Sequence, residues 1–209
     1  MKPIMPGKNI KFKRRMTKKT NYASRYALLK SGTARLVVRR SHNFIQMQVI
    51  NYEPSGDRTV AAALSKELKE LGWKFHCGSL PASYLTGLLA GAKALQAGVK
   101  AAVVDIGLQV AAKNGVLFAA AQGAKDAGLE IELGEGITDA KRLRGEHIAA
   151  YAKATKGTDA YKRQFSACLK AGADPEHMPQ NFDDVKAKIF SQIKGEKQIA
   201  RHAVTKEAR

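Results

Sequence analysis

The sequence predicts an α/β protein: a mixed β-sheet with helices in three layers, preceded by a basic extended arm and followed by a helical extension. Three observations lead there. Short strand-like runs joined by turns occupy residues 34–64; two apolar helical segments flank a buried strand-like run between 81 and 128; and from Gly136 onward the chain turns helical with few large apolar residues. The expected organisation is an arm over 1–30, a core over 31–135 and an extension over 136–209. With 209 residues and 44% hydrophobic content the chain is long enough for one core with appendages.

In the core, ARLVVRR at 34–40 is rich in β-branched residues, and FIQMQVINY at 44–52 puts Ile45, Met47 and Val49 on one face, with Gln46 and Gln48 opposite. Turn residues Pro54-Ser55-Gly56-Asp57 lead into RTVAAAL, so an antiparallel meander of three strands is expected. SKELKEL reads as a short helix stopping at Gly72. PASYLTGLLAGAKALQAG reads as a long one, with Pro81 near its first turn, Gly98 at its end, and a stripe of Leu85, Leu88, Leu89, Ala92 and Leu95. AAVVDIG is expected as a strand buried on both faces, and VLFAAAQGAKDAG as a helix closing at Gly128, the alternation of a right-handed crossover. Trp73, before the long helix, is expected as a packing anchor.

The extension holds TDAKRLRGEHIAAYAKA, DAYKRQFSACLKAG and NFDDVKAKIFSQIKG. Asn181 suits the cap of the last, and Val185, Ile189 and Ile193 repeat at four-residue spacing. So few large apolar residues require a surface for these helices to lie on, either the core or an RNA.

Charge is distributed unevenly. The net +18 is concentrated in residues 1–52, which carry thirteen Lys and Arg and no acid, whereas the remaining 157 residues carry 23 basic against 18 acidic side chains. In KFKRRMTKKTNYASRY, at 11–26, Phe12, Tyr22 and Tyr26 are interleaved with Lys11, Lys13, Arg14, Arg15, Lys18, Lys19 and Arg25. Cations neutralise phosphates and rings stack on unpaired bases, so the segment suits RNA; a solvated tail that binds any polyanion has the same composition. The basic character continues into Arg39-Arg40-Ser41-His42-Asn43 at a strand tip, which a mere tail would not need. Cys77 and Cys168 are 91 positions apart without ligand spacing, arguing against a zinc module or disulfide framework and for a reducing, cytoplasmic setting. Lys93, Asp105 and Lys113 interrupt the apolar segments before transmembrane length, so no membrane partner is expected.

An enzyme reading rests on topology, because a meander followed by β-α-β also describes ribonuclease H-like folds that hold two metal ions with clustered carboxylates. Asp105 would be the first ligand. The meander adds only Glu53 and Asp57 at a turn, and three convergent carboxylates are not evident. Asp105 fits better as the cap of the next turn or the partner of a lysine. No catalytic set, metal site, cofactor loop or small-molecule substrate is indicated.

Seven stretches in order, KTNY at 19–22, LLKSGTARLVVRRS at 28–41, GDRTVAAALSKEL at 56–68, YLTGLLAG at 84–91, DIGL at 105–108, FAAAQGAKDAGLEI at 118–131 and RLRGEHIAAYAK at 142–153, resemble the archaeal form of the L-eighteen family of large-subunit ribosomal proteins, related to the eukaryotic L-five protein. The resemblance implies a non-enzymatic ribosomal component that binds 5S rRNA in the central protuberance and helps attach it to 23S rRNA, beside a bacterial-type L-five homologue. By position it implies 5S contacts from Lys11, Lys13, Arg14, Arg15, Lys18, Lys19, Thr20, Tyr22 and Arg25 in the arm, Arg39, Arg40, Ser41 and Asn43 at the strand tip, and Arg58 after the turn. For 23S rRNA it implies Lys141, Arg142, Arg144, His147 and Arg163. The alternatives from the residues themselves are a generic RNA chaperone and a nuclease using Asp105.

Overall fold

A computed structural model describes residues 11–207, with side chains through residue 192. Strands β1 (Ala34–Arg40), β2 (Ile45–Asn51) and β3 (Arg58–Leu64) form the expected antiparallel meander, and β4 (Ala102–Asp105) joins β1 in parallel, giving the order β3-β2-β1-β4. This mixed sheet is the meander-plus-crossover arrangement expected from the sequence. After β4 a fifth position is only begun, by a parallel bridge between Ala101 and Glu130.

Helices α3 (Leu80–Gln96) and α4 (Val116–Asp126) both cover the same face of the sheet. Leu36, Val38, Ile45, Met47 and Val49 are buried there against Leu89, Ala94, Leu117, Ala120 and Ala124, because alternation delivers every second strand residue to that side. Behind α3 lies a second core, in which Tyr84, Leu85 and Leu88 meet Trp73, Met178, Phe182, Val185 and Ile189. Helix α3 is thus enclosed on both sides and buries almost its whole circumference rather than one stripe. The extension supplies the second wall: α5 (Ala140–Arg144), α6 (Glu146–Thr155), α7 (Asp159–Gln164), α8 (Ser166–Lys170) and α9 (Met178–Glu207) lie in the described residues. The surface these helices needed is α3. Among the described residues no helix is long and apolar enough to cross a membrane.

Two local expectations change. The expected helix through RLRGEHIA breaks at Gly145, which has φ 81°, ends α5 and starts α6; a methyl group there would meet Met178 Sδ at 2.9 Å and Pro81 Cγ at 3.0 Å. Asn181 does not cap the last helix, which starts earlier at Met178 after a 3-10 turn over Pro175–His177 capped by Asp174. Asn181 instead donates its side-chain amide to the Gly72 carbonyl at 3.1 Å, tying α9 to the loop before α3. Val185 and Ile189 are buried as expected, while the side chain of Ile193 lies outside the described residues.

Helices α3 and α4 approach through glycine. A methyl at Gly87 would stand 2.0 Å from the Ala120 carbonyl oxygen, and one at Gly123 would stand 2.1 Å from the Tyr84 carbonyl oxygen. Backbone cannot rotate away as a side chain can. Gly87→Ala is therefore expected to force the helices apart and destabilise the fold by at least ~1–3 kcal/mol in urea unfolding; an unchanged midpoint would mean the helix pair tolerates a wider spacing.

Candidate nucleic-acid interface

The face of the sheet away from α3 and α4 carries the arm. Residues 1–10 lie outside the described residues; from Lys11 the arm is not extended but folds as one helical turn, α1 (Lys13–Met16), and a two-turn helix, α2 (Tyr22–Leu29). Asn21 caps α2 by accepting from the Ala23 and Ser24 amides, a signal present in KTNY that the charge count obscured. Between the helices the chain reverses through Lys18 at φ 53°, and Arg14 Nε donates to Thr20 Oγ1 at 2.8 Å, closing the turn.

A chain of ion pairs seats this arm. Arg25 of α2 donates to Asp57 Oδ2 at 2.8 Å, and Arg35 of β1 reaches the same oxygen at 2.6 Å. Arg35 also holds Asp105 at 2.9 Å, and Arg39 holds Asp105 at 3.0 Å while donating to the Val38 and Asp105 carbonyls. Strand register explains this. Parallel pairing sets Arg35 beside Val103 and Val37 beside Asp105, so Arg35, Arg39 and Asp105 share the face opposite the apolar core. Arg35 is only 3% exposed. Burial alone would push the Asp105 carboxyl up, but the Arg39 hydrogen bond and charge, the Gly107 amide and the Arg35 charge outweigh it and hold the group below its ordinary value.

Asp105 does cap the following turn, accepting from the Gly107 amide at 2.9 Å, but its charge partners are two arginines and not a lysine. Gly107, at φ 66°, lets the Arg39 guanidinium lie over it, since a methyl group would meet Arg39 Cζ at 2.9 Å. With both oxygens engaged by guanidinium groups, Asp105 has no free face for a metal ion, and among the described residues no group of three potential ligands assembles. The same loop contributes Gln109, which donates to the Arg40 carbonyl at 3.0 Å and accepts from its amide at 3.4 Å, fixing the end of β1.

Arg14, Lys19, Thr20, Arg25 and Arg39 surround one cavity of about 270 Å³ floored by Arg35 and Asp105. Lys11, Lys13, Arg15 and Lys18 stand exposed beside it, and among the described residues none of these four cations is in an ion pair. Apolar surface is interleaved: Phe12 is 69% exposed with its ring 5.1 Å from that of Tyr22, and Tyr26 is 65% exposed with Lys30 over its face. Exposed rings among free cations suit unpaired bases and phosphates together.

The remaining candidates separate. Arg40, Ser41 and Asn43 sit at the β1–β2 turn, where Ser41 Oγ bonds both backbone groups of Phe44; Arg58 is exposed at the opposite end of the sheet. Lys141, Arg142, Arg144, His147 and Arg163 lie on the helices behind α3, away from the arm. Arg144 is held by Asp183 at 2.5 Å and lies near Glu146 at 3.6 Å. Burial and then the Arg142 charge push His147 below the ordinary imidazole value, so at neutral pH it presents a neutral ring. Arg35, Asp57 and Gln109 were missed by the charge reading. The available signal was an arginine inside a buried β-branched run, which demands a carboxylate.

The chain matches a family described as "Ribosomal large subunit proteins 60S L5, and 50S L18" over residues 8–102. It is 46% identical over 187 residues to a protein named large ribosomal subunit protein uL18 from Ignicoccus hospitalis, an alignment covering 88% of this chain and 92% of that one. It is likewise 46% identical over 184 residues to a protein of the same name from Methanococcus maripaludis, covering 87% and 95%.

Proposed function

Because the chain belongs to the uL18 family of large ribosomal subunit proteins, a structural and non-enzymatic component of the cytoplasmic ribosome with rRNA and ribosomal proteins as partners, we propose that its arm and strand tip bind 5S rRNA. In this reading the protein helps attach that RNA to 23S rRNA in the central protuberance. The observation that carries it is the convergence of Lys11, Lys13, Arg15, Lys18 and Lys19 with exposed Phe12 and Tyr26 on one sheet face, seated through Arg25. The unpaired cations neutralise phosphate, the rings receive unstacked bases, and the turn at Arg40, Ser41 and Asn43 continues the surface. Arg39, Arg25 and Thr20 act chiefly by position, since each already has an internal partner. Lys141, Arg142 and Arg163 on the far side provide the 23S contacts, His147 adds a neutral hydrogen-bonding ring, and the bacterial-type L-five homologue is a neighbour on the same 5S RNA.

A generic RNA chaperone would use the same cations without preference. Competition at about 0.15 M salt distinguishes them: labelled 5S rRNA held by the full chain is expected to resist a structured competitor RNA of similar length by at least about 10³-fold. Equal displacement by either RNA would leave only the nonspecific reading.

A further inference from the structure

We propose that the open outer edge of β4 receives a basic, extended segment of a neighbouring ribosomal protein, added to the sheet as a strand. Ala102 turns its amide outward to the Glu130 carbonyl at 3.0 Å, and Glu130 donates to the Lys100 carbonyl at 2.9 Å. By strand alternation Val104 presents its own N–H and C=O on the same edge. No backbone bond joins them to residues 131–133, and among the described residues no further strand lies beyond β4. The two stretches diverge around a groove of about 890 Å³ lined by Val103, Val104, Glu130, Ile131 and Glu132, with Lys125 also on its wall.

Charge selects the occupant. From Asp126 to Ala140 the chain carries Asp126, Glu130, Glu132, Glu135 and Asp139 without one Lys or Arg, in a protein of net charge +18. Glu130, Glu132 and Glu135 are exposed, and among the described residues none of them is in an ion pair. Leu129 and Ile131 point into the core, so the same alternation turns Glu130 and Glu132 outward. An acidic ledge repels phosphate and attracts lysine and arginine, while an unblocked strand edge whose one charged residue, Asp105, is held inward by Arg35 and Arg39 is the feature that proteins ordinarily guard. Together they fit a cationic peptide in β-augmentation, with main-chain bonds supplying affinity and alternate side chains supplying specificity. The proposal rests on the chain being a ribosomal protein and is independent of its choice of 5S rRNA.

The test uses the full ¹⁵N-labelled chain and three synthetic heptapeptides: alternating Lys and Val, alternating Glu and Val, and the Lys-Val sequence N-methylated at alternate residues. The Lys-Val peptide is expected to shift the Val104 amide and bind at least tenfold more tightly than either of the others. The E130Q/E132Q/E135Q variant is expected to lose about tenfold in peptide affinity while keeping or slightly raising its 5S rRNA affinity. Equal binding of the methylated peptide, or a Val104 amide that does not respond, would overturn strand addition. A fall in 5S rRNA affinity for the triple variant would overturn the choice of a protein partner, whereas an unmodified chain that fails to select 5S rRNA would count only against the RNA reading. In native large subunits, a photo-crosslinker at Glu132 is expected to capture a lysine- or arginine-rich segment of a ribosomal protein, and capture of rRNA would overturn the proposal.

Discussion

Replacing Asp105 with asparagine is expected to destabilise the fold by about 3 kcal/mol, because it leaves the nearly buried Arg35 guanidinium with half its counter-charge. Asp57 still reaches Arg35 at 2.6 Å, which holds the cost toward the lower end of what breaking a buried pair produces. Urea unfolding measures it directly, and a loss below about 1 kcal/mol would mean that water replaces the carboxylate. Substituting both partners, R35M with D105L, is expected to recover much of the loss, since an apolar pair of similar volume removes both desolvation costs.

The pH dependence has a definite sign. The Asp105 carboxyl lies below its ordinary value of 3.8 in the folded chain, so its contribution is complete above that value and disappears as pH falls through the lower folded one. The stability gap between the parent and D105N is therefore expected to be constant near neutrality and to close only below about pH 4. A gap that changes near neutral pH would implicate another titrating group. The same variant is expected to weaken 5S rRNA binding although it makes the protein more positive, because Arg39 loses its anchor. An effect of charge alone would have the opposite sign.

Removing residues 1–20 is the second large effect. This truncation keeps α2 and its Arg25–Asp57 pair but deletes, besides Lys2 and Lys8, the six cations Lys11, Lys13, Arg14, Arg15, Lys18 and Lys19. If these six cations each neutralise a phosphate, the slope of log affinity for 5S rRNA against log salt is expected to shrink by about 4–5. Affinity at low salt is expected to fall by roughly 10³-fold. Unfolding should change little, since none of the deleted side chains from Lys11 to Thr20 is buried. An unchanged slope would mean that the arm is not on the RNA.

Much of the fold was legible along the chain. Strand bounds in ARLVVRR and RTVAAAL, the long helix opened at Pro81, and α4 before Gly128 follow from alternation, helical spacing and turn chemistry, which act over a few residues. The lack of acids before Glu53 likewise points to a polyanion from composition alone. The helical form of the arm was readable only weakly, since its capping Asn21 lies in a segment dominated by charge.

Local patterning alone thus located the strands and the two main core helices, and the charge distribution pointed to a polyanionic partner. Tertiary structure decided which cations are free to meet that partner. Arg25, Arg35, Arg39 and Arg144 look no different along the chain from Lys13 or Arg15, yet each is engaged by Asp57, Asp105 or Asp183, between 22 and 70 positions away. The physical reason is range. Periodicity is fixed by the backbone within one element, whereas an ion pair depends on the register of β1 against β4 and on how α2 and α5 dock, both of which exist only once the chain has folded.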